Sequence, residues 1–158
     1  MTISRVSEME APTDGEPGLR VVVGSPVYGG ATILVVDDDP LVRAFTSEVL
    51  RLEGFFVLEA AGTAEGLQTA AEHRGRIDLL ISDVVMPHGD GCRDLVEGLG
   101  EMRPTTKLLY ISGHPEVNVA RSGASLSAAF LQKPFTVDML VEKVRTVLDA
   151  EEVRIARA

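Results

Sequence analysis

The chain is predicted to fold as an α/β three-layer sandwich, a five-stranded, mainly parallel sheet covered by helices on both faces. Two observations carry this. From Ala31 onward short apolar runs alternate with helix-like segments, the texture of repeated βα units. All but the second run are almost continuously apolar, as strands buried on both faces must be. Right-handed crossovers leave few strand orders for five such units, and the commonest is 2-1-3-4-5.

The elements follow in order. Residues 1–30 are punctuated by Pro12, Gly15, Pro17, Gly18, Gly24, Pro26, Gly29 and Gly30, and only 19–23 can extend briefly, so this stretch reads as a flexible tail or linker. Strands are expected at 32–36, 55–59, 77–82, 107–112 and 129–132. Asp39-Pro40 marks the first helix start, with Asp39 as N-cap and Pro40 at the first helical position. Leu41, Val42, Phe45, Val49, Leu50 and Leu52 form its helical-spacing stripe, and Gly54 ends it. Thr63, Pro115 and Thr136 mark three further helix starts. The 115–124 helix is weak, because it contains Asn118, Ser122 and Gly123, and weakness suits a segment that shifts between packings. The last helix, 137–148, presents Met139, Leu140, Val144, Val147 and Leu148, and residues 151–158 fray. The organisation is thus a tail (1–30), one folded domain (31–150) and a fraying end.

Composition narrows the function. The 158 residues carry 15 Lys+Arg against 24 Asp+Glu, a net charge of −9, which disfavours nucleic acid or anionic lipid as a partner. The single cysteine, Cys92, excludes an internal disulfide framework and reads as a small packing residue. No apolar run reaches the ~20 residues of a membrane span and no signal-peptide layout opens the chain, so a cytoplasmic protein is expected.

In sheets of this order ligands bind beyond the C-terminal strand ends. There the sequence sets Asp37-Asp38-Asp39 after strand one, Ser82-Asp83 at strand three, Ser112-Gly113 at strand four and Lys133-Pro134 after strand five. Taken singly, Asp39 is an ordinary N-cap and Lys-Pro or Ser-Gly an ordinary turn. Jointly, clustered carboxylates repel unless a proton or a cation joins them, and an oxygen-only donor set favours Mg²⁺. Lys133 and Ser112 beside that cation suit an anionic ligand. A phosphoryl group satisfies every part, with a carboxylate as nucleophile, so an aspartyl phosphate is the expected product.

These residues carry a family resemblance. Ile33-Leu34-Val35-Val36-Asp37-Asp38-Asp39-Pro40, Asp78-Leu79-Leu80-Ile81-Ser82-Asp83-Val84-Val85-Met86-Pro87, Gly89-Asp90-Gly91, Ile111-Ser112-Gly113 and Phe130-Leu131-Gln132-Lys133-Pro134-Phe135 together resemble the response-regulator receiver domain of two-component signalling, from about Ala31 to Ala150. The resemblance implies the flavodoxin-like receiver fold and a phosphorylation switch rather than an enzyme. By it Asp83 is the phosphoacceptor, Asp38 binds Mg²⁺ directly, Asp37 assists through water, and the Val85 carbonyl completes the metal site. Ser112 and Lys133 contact the phosphoryl group, and the Lys133-Pro134 bond is cis. Ser112 and Phe130 are the switch pair, and the surface of the 115–124 helix, strand five and the last helix responds. Phe130 in place of tyrosine removes a hydroxyl from that switch. Val85 and His114 stand where the family tunes phosphoryl lifetime. His73 and His88 read as ordinary exposed histidines.

The implied donor is a sensor histidine kinase or a histidine phosphotransfer protein docking near the first helix. The downstream partner is an unidentified protein, since no output domain fits after Ala150. A homodimer through the 115–124 helix, strand five and the last helix is compatible with the resemblance. The chain reads as a single-domain regulator or as a receiver separated from a hybrid kinase. Two rivals stand beside it. An unphosphorylated receiver-like docking module would not need all site positions filled. The Asp37-Asp38-Asp39 run also resembles the Asp-x-Asp opening of haloacid-dehalogenase-like phosphatases, but no acidic pair follows strand four.

Overall fold

The computed structural model describes residues 30–86, 92–113 and 128–150. These hold five strands, β1 (Thr32–Val36), β2 (Phe56–Ala60), β3 (Leu79–Asp83), β4 (Lys107–Ser112) and β5 (Ala129–Gln132), all parallel, in the predicted order β2-β1-β3-β4-β5. Four helices connect them among the described residues: α1 (Pro40–Leu52), α2 (Thr63–Glu72), α3 (Cys92–Met102) and α4 (Val137–Asp149). The expected 115–124 helix, His114, His88, the 1–29 stretch and residues 151–158 lie outside the described residues.

The alternation of side chains along each strand divides the core in two. Ile33, Val35, Ile81 and Leu109 pack with Val49 and Leu50 of α1 and with Leu140 and Val144 of α4. Leu34, Val36, Leu80 and Tyr110 pack on the other face with Ala70 of α2 and Leu95 and Leu99 of α3. On that second face α2 approaches so closely at Gly66 that a Cβ there would lie 3.0 Å from Leu95 Cδ1 and 3.2 Å from Val36 Cγ2.

Local chemistry explains the boundaries. Asp39 Oδ1 accepts from the N–H groups of Leu41 (2.9 Å) and Val42 (3.3 Å), capping α1 with Pro40 at its start. Gly54 closes the helix at φ 93°, a conformation that costs a side-chain-bearing residue dearly. At α2 the helix begins at Thr63, but the N-cap is Gly62, and Glu65 reaches back to accept from the Ala61 N–H at 2.9 Å. Thr136 caps α4 by accepting from the Met139 N–H at 3.2 Å.

Five expectations are corrected. β2 starts one residue later than expected, because Phe55 N–H is used by Leu50 O in closing α1. β3 spans Leu79–Asp83 rather than 77–82. Asp78 is occupied before the strand, its N–H donating to Thr32 O and its carboxylate accepting from Thr32 N–H. The apolar stripe of α1 is not all core: Leu41 and Leu52 are 80% and 78% exposed, Phe45 is exposed, and Thr46 and Ser47 are buried in their stead. In α4, Met139 faces outward while Val141, absent from the expected stripe, is buried. In both helices the sheet chose a strip of the apolar arc, and periodicity alone does not say which. β5 also differs from a doubly buried strand, being an edge with Gln132 exposed.

Candidate functional site

The ends of β1, β3 and β5 meet at one rim of the sheet. β1 is fully buried through Val36, and its polar continuation emerges there as Asp37, 3% exposed, and Asp38, exposed. Asp83 ends β3, and Lys133 follows β5. One carboxylate oxygen from each of Asp37, Asp38 and Asp83 lies within 4.8 Å of the others. Lys133 Nζ donates to Asp83 Oδ2 at 2.7 Å and to Asp37 Oδ2 at 3.2 Å. Three segments far apart in sequence are therefore gathered on one point.

Backbone groups orient the acids. Asp37 Oδ1 accepts from the Asp39 N–H at 2.9 Å, and Asp83 Oδ1 accepts from the Val85 N–H at 2.9 Å. Arg43, one turn into α1, donates to the Asp37 carbonyl at 2.8 Å and ties the helix start to the end of β1. Ser82 Oγ donates to the Asp83 carbonyl at 3.0 Å.

The electrostatics follow from burial and charge. Burial lifts the Asp37 carboxyl above the usual range. The Asp39 N–H and Lys133 oppose the rise and the Asp83 charge adds to it. Burial also works against the Lys133 ammonium, but its hydrogen bond to Asp83 and the charges of Asp37 and Asp83 prevail and hold it above the usual lysine range. Three acids with one ammonium leave a net negative pocket lined by oxygens. That donor set fits a hard divalent cation such as Mg²⁺, with Asp37, Asp38 and Asp83 as the groups that would hold it.

The remaining site residues are placed as follows. Ser112 is buried at the end of β4, and its carbonyl accepts from the Lys133 N–H at 2.9 Å. The Lys133-Pro134 bond is cis, as expected. Val85 is 57% exposed beside Asp83. Phe130 is half-buried, paired in register with Tyr110, the ring centroids 5.2 Å apart. His73 is the C-cap of α2 and lies beside Gly30 and Thr32 at the start of β1, away from these strand ends, and its carbonyl accepts from Arg103.

Reading residues alone missed two members of this neighbourhood. Arg43 carries no motif, and an arginine in a first helical turn is unremarked until its partner, the Asp37 carbonyl, is known. Tyr110 looked like one more apolar strand residue. It is completely buried, and it hydrogen-bonds Cys92 at the start of α3.

The family model for the response regulator receiver domain matches residues 33–145. The chain belongs to that family. The chain is 34% identical over 134 residues to sensor kinase CckA of Brucella abortus, a match covering 84% of this chain and 14% of that protein. It is 36% identical over 117 residues to the transcriptional regulatory protein PrrA of Mycobacterium tuberculosis, covering 73% of this chain and 49% of that one. The chain thus spans about half or less of these curated relatives. Among solved structures, the receiver domain of the hybrid histidine kinase CckA matches with a TM-score of 0.63 at 36% identity, covering 75% of this chain and 100% of that one. Chemotaxis protein CheY4 of Vibrio cholerae matches with a TM-score of 0.67 at 28% identity, covering 75% and 99%. A receiver domain is a phosphoacceptor module of two-component signalling, and this receiver carries the acidic cluster at which the family binds Mg²⁺. Among the described residues no helix is long and apolar enough to cross a membrane.

Proposed function

We propose that this receiver accepts a phosphoryl group from a phosphohistidine onto Asp83 and uses the resulting charge to change a partner-binding surface. The observation that carries the reading is the 2.7 Å contact of Lys133 Nζ with Asp83 Oδ2 inside a cluster of three carboxylates. An Asp83 oxygen attacks phosphorus as the P–N bond to the donor imidazole breaks. The bonding pair stays on the ring nitrogen, and an acyl phosphate forms on Asp83. Asp38 and Asp83 would hold Mg²⁺, with Asp37 assisting through water and the Val85 carbonyl completing the set. Magnesium, when bound, withdraws charge from the phosphoryl oxygens.

The chain's own groups do the rest. Lys133 already points at Asp83 and follows the new phosphoryl oxygens, exchanging a carboxylate for a more highly charged partner. The Val85 N–H keeps the nucleophilic carboxylate oriented. Ser112 turns its hydroxyl toward the phosphoryl group, and Phe130 follows into the space released. The surface of residues 115–124, β5 and α4 is altered for an unidentified downstream protein. The donor, a histidine kinase or histidine phosphotransfer protein, docks near α1. Leu41 and Phe45 are exposed there, and the Phe45 ring sits 6.0 Å from that of Phe135.

The test is incubation with acetyl phosphate and Mg²⁺ followed by intact mass. A gain of one phosphoryl group that Asp83→Asn abolishes is expected. No gain in the wild type overturns the reading in favour of an unphosphorylated docking module, and steady turnover of para-nitrophenyl phosphate overturns it in favour of a phosphatase.

A further inference from the structure

Asp37 is bonded at each of its polar atoms. Its N–H donates to the Ala60 carbonyl at 3.2 Å, one carboxylate oxygen accepts from the Asp39 N–H at 2.9 Å, and the other accepts from Lys133 Nζ at 3.2 Å. These three partners belong to the neighbouring strand, the adjoining turn and the site itself. The fourth is different. The Asp37 carbonyl accepts from Arg43 Nη1 at 2.8 Å, a helix side chain six residues on, and that carbonyl belongs to the peptide joining Asp37 to Asp38.

Asp38 is exposed, and among the described residues nothing donates a hydrogen bond to its carboxylate. The main chain alone therefore directs it to within 4.8 Å of the Asp37 and Asp83 carboxylates. A planar peptide turns only about the bonds on either side of it, so a partner on its carbonyl restrains ψ of Asp37 and φ of Asp38 together. Arg43 is itself held in place. It is half-buried in α1, directly after the Leu41 and Val42 N–H groups that Asp39 caps. Its charge also acts on Glu59 of β2, whose carboxyl is kept below the usual range by the Arg51 hydrogen bond first, then by Ser47 and the charges of Arg51 and Arg43, against burial. A guanidinium with partners on two strands is a rigid support, because its planar fork is pre-organised.

Charge alone argues the opposite way. A cation near three carboxylates competes with a divalent ion, and a half-exposed charge changes affinity by about two- to fivefold. Groups that orient metal ligands are worth more, about 10–100-fold. The two effects have opposite sign, which makes them separable.

We propose that Arg43 is a positioning residue for the divalent cation, fixing the Asp37-Asp38 peptide in the orientation that presents Asp38 to the site shared with Asp37 and Asp83. The proposal rests on the reading of this acidic cluster as a Mg²⁺ site. It makes α1, with exposed Leu41 and Phe45, part of the scaffold of that site.

Mg²⁺ titration of the full chain by calorimetry, with urea denaturation of the metal-free proteins alongside, tests this. Arg43→Met keeps the stem but removes donors and charge. Arg43→Lys keeps the charge and replaces the fork by one compact ammonium. The Mg²⁺ dissociation constant is expected to rise about tenfold in Arg43→Met and at least about threefold in Arg43→Lys. A purely Coulombic role predicts tighter binding in the first and no change in the second. In metal-free NMR spectra the Asp38 and Asp39 amides should shift while those of Leu80 and Leu109 stay in place. Phosphorylation by acetyl phosphate should return to the wild-type rate once Mg²⁺ saturates the variants. Binding in Arg43→Met as tight as in wild type, or tighter, overturns the proposal. Should the urea transition show that Arg43→Met does not fold, wild-type affinity in Arg43→Lys overturns it instead. A wild type that binds no Mg²⁺ overturns the reading of the cluster as well, whereas variants that match a Mg²⁺-binding wild type overturn the role of Arg43 alone.

Discussion

The Lys133 ammonium sits 2.7 Å from Asp83 Oδ2, closer than its 3.2 Å approach to Asp37. One cation from the end of β5 thereby links the acids of β1 and β3 and partly offsets their mutual repulsion. The same contact makes Lys133 both a structural counter-charge and a ligand-facing group, and the two roles separate experimentally.

Replacing Lys133 by alanine leaves two largely buried carboxylates without their cation, so stability should fall by about 1–3 kcal/mol, less than the full cost of breaking a deeply buried pair because the lysine is partly exposed. Mg²⁺ should bind more tightly to Lys133→Ala, since a competing positive charge is gone. Phosphoryl uptake should fall. Urea denaturation, metal titration and intact mass read the three effects, and weaker Mg²⁺ binding would contradict the shared site.

Saturating the acids with metal should stabilise the fold. At ten times its dissociation constant Mg²⁺ adds about 1.4 kcal/mol, equivalent to a rise of roughly 3–6 °C in Tm. Asp38→Ala removes an exposed member of the like-charged cluster, so it should raise the metal-free Tm slightly and erase the Mg²⁺ increment. Thermal melts with and without Mg²⁺ check both.

Cys92 and Tyr110 make alkaline stability a readout of packing. Burial pushes the Cys92 thiol up to about 11 from 9.0, with the Tyr110 hydrogen bond opposing, and burial and the Cys92 contact raise the Tyr110 phenol further. Both pKa values are raised in the folded protein, so their contribution is fully present below the unfolded values and is lost as pH climbs through the folded ones. Melting temperature should therefore decline between pH 9 and 11, by an amount worth on the order of 2–3 kcal/mol for the thiol. Cys92→Ala should flatten that decline, and an unchanged slope would contradict it.

Phosphoryl lifetime should respond to Val85 and His114. The Val85 side chain is 57% exposed beside Asp83 and has no group to orient an attacking water. Val85→Asn should shorten the half-life of the phosphorylated protein about tenfold, by positioning that water. If wild type loses its phosphoryl group rapidly, His114→Ala should slow the loss. Decay of the phosphorylated mass over time measures both.

Gly66 allows α2 to sit against β1 and α3. Gly66→Val adds a branched side chain at a Cβ position already 3.0 Å from Leu95 Cδ1 and 3.2 Å from Val36 Cγ2, so about 1–3 kcal/mol of stability should be lost to overpacking. Chemical denaturation gives the value.

Read as residues, the chain determined its strands, their parallel order and the rim at which the functional groups gather. Three devices made that legible: continuous apolar runs, a polar group at each run's end, and Asp39-Pro40 as a helix start. All are local, and local chemistry is written in neighbouring residues. Tertiary structure alone decided which part of each apolar helix faces the sheet, turning Leu41, Phe45 and Met139 outward and Val141 inward. It also decided that Arg43 would seat on the Asp37 carbonyl and Tyr110 against Phe130 and Cys92. Those outcomes depend on where a helix rotates and which strand lies beside it, and contacts between distant segments set both.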